Sequence, residues 1–143
     1  MLVFSLLLRP LDLWAQPTVT LLAQVFLASN QPGPAPDPRL ASLIAELRKA
    51  LPYSTFQLLG APSGRVGLGQ SWRAELPPGG RTLELTPTAI DRGTIQLQAR
   101  IVQASETLVN TTLRLQSGGP PVVIGGPAYQ NGVLVIVIST VLP

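Results

Sequence analysis

This sequence predicts an α+β fold in which one helix packs on a largely antiparallel β-sheet or sandwich of about seven to eight strands. Three observations predict it. Only one segment, Pro38 to Leu51, spaces its apolar residues with helical period. Most of the chain beyond Pro52 alternates apolar and polar residues with the period of a strand. Glycine and proline, 13 and 15 of 143 residues, fall largely between the alternating runs, where turns need them. A chain of this length buries roughly two thirds of its unfolded surface around one core, so residues 17 to 143 are read as a single domain.

Met1 to Gln16, MLVFSLLLRPLDLWAQ, has an apolar run from Leu2 to Leu8, short of the about twenty residues a membrane-spanning helix requires. Ala15 suits a cleavage position before Gln16-Pro17, but no Lys or Arg precedes the run and Leu13 is large for the −3 site. Residues 1 to 16 are therefore read as an atypical or truncated export signal, or as a short element packing on the domain.

Thr18 to Ala28 alternates, with Val19, Leu21, Ala23, Val25 and Leu27 on one face; it is a strand whose opposite face is partly covered. Four prolines in Ser29 to Pro38 make a loop. Asp37 then caps a helix with Pro38 at its first position. Leu40, Leu43, Ile44, Leu47 and Leu51 form the buried stripe, Arg48 and Lys49 complement the helix dipole, and Pro52 ends the element. Strands follow at Tyr53 to Leu59 and Ser71 to Leu76, separated by a Gly-rich connection from Gly60 to Gly69. Pro77-Pro78-Gly79-Gly80 turns the chain into Arg81 to Thr86. Asp91-Arg92-Gly93 then joins that region to Thr94 to Val102 as a hairpin. A strand at Leu108 to Gln116 is broken by Ser117-Gly118-Gly119-Pro120. Val122 to Ile124 leads through Gly125-Gly126-Pro127 to the hairpin signal Asn131-Gly132. The final run, Val133 to Ile138, is apolar on both faces; it lies at a sheet centre, or faces lipid or a partner on one side.

The absence of cysteine and histidine excludes zinc fingers, Ser-His-Asp triads, Cys nucleophiles and disulfide scaffolds. The seven carboxylates fall singly. Glu75 and Glu84 flank the Pro-Gly turn and are read as cross-strand partners of Arg73 or Arg81, not as a catalytic pair. Lys49, the sole lysine, sits on the helix's polar stripe, and the Gly-Gly-Pro segments precede no helix that could hold a phosphate. The net charge of +3 comes from scattered arginines without interleaved aromatics, unlike a nucleic-acid footprint. No catalytic residue, cofactor or metal ligand is expected.

The succession LELTPTAIDRGTIQLQARI, NTTLRLQSGGPPVVIGG and NGVLVIVI resembles the C-terminal region of bacterial secretins, the outer-membrane channels of secretion and pilus systems. The matching positions within residues 82 to 139 are Pro87, Gly93, Thr111, Thr112, Gly118, Val122, Val123, Ile124, Gly125, Gly126 and Leu134 to Ile138. The chain departs from that family in its length and in Pro120-Pro121, where secretins usually carry Gln-Thr. The resemblance implies an envelope β-protein of similar strand order, exported to the periplasm or outer membrane. The expected role is non-catalytic, through protein partners or self-association, with Val133, Val135, Val137 and Ile138 forming a core or association strand. The alternative is a soluble periplasmic module that binds a small ligand between helix and sheet, near Tyr53, Phe56 and Trp72.

Overall fold

The computed structural model describes residues 17–33, 37–76 and 79–143. The segment read as an export signal, residues 1–16, lies outside them, as does the Pro77-Pro78 half of the expected turn. Among the described residues, nine strands and one α-helix build two antiparallel sheets. The first contains β1 (Thr18–Ser29), β2 (Thr55–Gly60), β3 (Ser63–Gly67), β8 (Val122–Tyr129) and β9 (Gly132–Val141). The second is a meander of β4 (Trp72–Leu76), β5 (Arg81–Asp91), β6 (Thr94–Gln103) and β7 (Glu106–Gln116). The first sheet runs β2, β1, β9, β8, and β3 takes over from β2 along the other half of β1.

Alternation along each strand dictates how these layers stack. Val19, Leu21, Ala23 and Val25 of β1, Leu134, Ile136 and Ile138 of β9, and Ile124 of β8 meet Leu83, Leu85, Ile95, Leu97, Ala99, Ile101, Leu113 and Leu115 of the second sheet in one core. The other face of the first sheet presents Phe26, Ala28, Phe56, Val135 and Val137, on which helix α1 (Ala41–Ala50) lays Ile44 and Leu47. A ten-residue helix is not stable alone in water; burying each such side chain contributes about 1.5–3 kcal/mol and holds it on the sheet. β9 faces both cores from its place between β1 and β8. Its two-sided apolar pattern therefore belongs to a sheet centre.

The start of the helix departs from expectation. Asp37 does cap: its Oδ1 accepts the Arg39 N–H at 2.9 Å. The Leu40 N–H, however, donates to the Asp37 carbonyl at 2.9 Å, an i to i+3 bond that tightens Pro38–Leu40 into a 3-10 turn. The α-helix proper begins at Ala41.

Four strand assignments also change. The Gly60 to Gly69 connection contains β3, because β2 pairs only with Val25–Ser29 and the backbone of Thr18–Leu22 needs its own partner. β5 continues past Thr86 through Pro87 to Asp91, with a register shift between Pro87 and Ala89 that accommodates the missing donor. β8 likewise runs across Gly125-Gly126-Pro127 by a register shift between Gly125 and Ala128. The last hairpin forms one residue early: Tyr129 pairs with Gly132, leaving Gln130 and Asn131 as the loop. Position 132, inside the strand, needs glycine because a Cβ there would collide with the Ala28 carbonyl of β1. The β5–β6 turn is as expected, with Arg92 and Gly93 both at positive φ, 55° and 82°, the geometry of a two-residue type I′ loop.

Candidate functional site

A sheet edge is a row of unpaired backbone groups, and proteins usually blunt it. β4 is only five residues long and bears Arg73 and Glu75. The β2/β3 edge is broken at Ala61-Pro62. Along β7 the outward residues are Asn110, Thr112, Arg114 and Gln116. β8 is different. Its second half is disrupted by the register shift and Pro127, but Val122-Val123-Ile124 is a regular stretch whose surface residue, Val123, is apolar where the corresponding residues of β7 are polar.

The direction of its backbone groups follows from two bonds. The Thr140 carbonyl accepts from Gly118 N–H at 2.9 Å, on the β8 side of β9, and the Ala23 N–H donates to Pro62 on the far side of β1. A residue in an antiparallel strand presents its N–H and C=O to the same side. Ile136 and Ile138 therefore bond Ile124 and Val122, and Val123 and Gly125 direct their backbone groups outward. Val122 and Ile124 pack into the sandwich core, whereas the Val123 side chain stands on the helix side of the sheet, 37% exposed.

Above that edge lies a groove of about 460 Å³ between Leu43, Leu47 and Ala50 of α1 and Pro120, Pro121 and Val123. Its rim carboxylate, Glu46, is paired with Lys49 at 3.3 Å. The crossover leading into β8 is anchored to both sheets: Ser117 N–H donates to Gly93 and Gly118 N–H to Thr140, while Leu142 N–H donates to Ser117 Oγ at 2.8 Å. Pro120 and Pro121 are thus set beside the helix by fixed connections.

The outer face of the second sheet is the chemical opposite. Glu84 accepts from Arg73 Nε at 3.0 Å and Arg100 Nη1 at 3.1 Å, as cross-strand pairing anticipated for Arg73. Arg81 instead reaches Gln103 and the Ala128 carbonyl. Arg100 also donates to Thr107, Gln98 bonds Asn110 and Thr112, and Gln116 donates to Thr94. These side chains are satisfied by one another, which suits a hydrated surface.

Val135, Val137 and Ile138 are buried and Val133 is half-buried; Ile138 faces the sandwich core and the three valines face the helix. Tyr53 and Phe56 join the helix-side cluster, but Trp72 lies in the second sheet and packs on the sandwich core, its indole over Gly64. The expected pocket is not assembled, because Trp72 belongs to the second sheet, which covers the face of the first sheet opposite the helix. A small cavity of about 170 Å³ opens elsewhere, where Ser29, Gln31, Thr55, Gln57, Gln130 and Asn131 converge. Sequence reading missed Leu43, Ala50, Pro120, Pro121 and Val123 as one surface. The available signal was Pro-Pro directly before an uncharged β run.

Arg48 Nε donates to the Ser54 carbonyl at 3.0 Å and fastens the helix exit. At the entry, the Asp37 carboxyl is held below its ordinary value by the hydrogen bond from the Arg39 side chain, reinforced by the Arg39 backbone N–H. Among the described residues, no group of three or more acidic side chains could hold a metal ion, and no helix is long and apolar enough to cross a membrane. Comparison of the chain with protein-family models, curated proteins and solved structures finds no match.

Proposed function

We propose that the protein is a non-catalytic, secretin-like component of the bacterial envelope that acts through protein association. The observation that supports this reading best is the unblunted first half of β8 beside an apolar groove. Strand addition to such an edge gains affinity from main-chain hydrogen bonds and specificity from side-chain pockets. The groove beside Leu43, Leu47 and Val123 supplies the pocket. The apolar stretch at Leu2 to Leu8 and the secretin-like succession from Thr82 to Ser139 support export.

Fractionation of cells that express the full chain tests the reading. The expected result is recovery with the envelope membranes in large, detergent-resistant assemblies. Recovery as a soluble monomer would overturn it and favour the ligand-binding reading, in which the uncharged cavity at Ser29, Gln57 and Asn131 takes a small polar molecule.

A further inference from the structure

We propose that the β8 edge pairs with β8 of a second copy, as an antiparallel, two-fold symmetric dimer centred on Val123. The inference rests on the association reading and names its partner. A two-fold interface requires a surface complementary to itself, and β8 meets that requirement in three ways.

The first is register. With Val123 opposite Val123 of the second copy, the outward N–H and C=O groups of the two valines exchange two hydrogen bonds, the ordinary closure of an antiparallel pair. Pro121 then stands opposite Gly125 of the second copy. Pro121 has no N–H to donate, but in this register the Gly125 N–H can reach its carbonyl.

The second is shape. Among the described residues, nothing lies within 4 Å of the position a Cβ would take on Gly125, which leaves room for the proline ring. Both valine side chains lie on the helix-bearing face. The second copy therefore brings its own α1 over the same face, and Leu43, Leu47 and Ala50 of each molecule gain an apolar neighbour. Each groove is filled by the other molecule's edge.

The third is charge. Among the described residues, Glu46 is the sole ionisable residue lining the groove, and it is paired with Lys49. Two identical patches therefore meet without like-charge repulsion, and the patch has no excess charge to select an oppositely charged partner.

The absence of cysteine from the chain makes the test direct. Val123→Cys places two thiols across a hydrogen-bonded antiparallel pair, where Cα atoms lie about 5.5 Å apart, within disulfide range. Purified away from membranes, the full chain is expected to elute at twice its monomer mass, the two-fold pair being the unit from which the larger envelope assembly is built. Val123→Cys should cross-link to a dimer under mild oxidation at least tenfold faster than Leu58→Cys, an exposed control on the β2 edge. Val123→Lys should raise the dimer dissociation constant at least tenfold while leaving the circular dichroism spectrum unchanged. Should that variant misfold, the cysteine pair decides alone. Monomeric elution with equal cross-linking of the two cysteine variants overturns the dimer. If the same monomer is nevertheless found in large envelope assemblies, the association reading survives and only self-pairing falls.

Discussion

β6 and β9 are each ten residues long and each lies inside its sheet, yet their sequences obey different rules. β6 alternates without exception from Thr94 to Val102, while β9 buries five consecutive residues, Leu134 to Ile138. The difference is the number of layers each strand touches. β6 has the sandwich core on one side and water on the other, so its outer positions are Gln96, Gln98 and Arg100, bonded to neighbours. β9 has the sandwich core on one side and α1 on the other, so it has no wet face. A run that loses its alternation marks the place where a third layer lands.

One charge on the side of each strand that faces away from the sandwich core separates the two cases most strongly. Val137→Asp should abolish folding, because an unpaired carboxylate beneath the helix costs several kcal/mol. Gln98→Asp, on the open face, should stay folded within about 1 kcal/mol. Thermal and denaturant melts followed by circular dichroism measure both, and a folded Val137→Asp protein would mean that α1 does not seal that face.

Truncations grade the same contrast. Ile136→Ala removes side-chain volume from the sandwich core and Leu47→Ala from the helix layer; each should cost about 2–5 kcal/mol. A loss under about 1 kcal/mol for Leu47→Ala would show a loosely held helix. Smaller effects come from single polar groups. The buried Thr140 hydroxyl has no hydrogen-bond partner among the described residues, so Thr140→Val should stabilise the fold by about 1 kcal/mol. Glu84→Gln should destabilise it by at most about 1 kcal/mol and do so less at high salt, since Arg73 and Arg100 are both substantially exposed.

The smallest expected effect is at the helix entry. A carboxyl whose folded pKa is depressed adds stability above its unfolded pKa and loses it as pH falls through the folded value. Asp37 should therefore contribute a slight acid-side loss beginning below about pH 4, and Asp37→Asn should flatten that part of the stability curve. An unchanged curve would show that the Arg39 pairing adds nothing in solution.

How much of this was legible follows from the same physics. The helix stripe Leu40, Leu43, Ile44, Leu47, the alternation of β1, β5, β6 and β7, and the Arg92-Gly93 turn are local patterns, and each could be read directly. β3 could not, because SGRVG has two glycines and one apolar branched residue; it is a strand only because half of β1 would otherwise lack a partner. The β6–β7 turn was silent as well, since Ala104 takes φ 55° without the Gly, Asn or Asp that normally announces it. The groove was invisible for a different reason. Leu43 and Val123 are eighty residues apart, and only the order β1, β9, β8 places the uncharged edge beside the helix. The Tyr53, Phe56 and Trp72 grouping failed on the same ground, since proximity across layers is not written in spacing.

Association through the apolar edge beside α1 implies that the polar face of the second sheet can be altered without effect on assembly. One pair of substitutions tests it most directly: Val123→Lys and Gln98→Lys, each compared with the unaltered chain for native size in the envelope fraction. Gln98→Lys should remain in the large assembly and Val123→Lys should be released from it while still folded. Retention of Val123→Lys in an assembly of undiminished size would show that the edge is not the association surface.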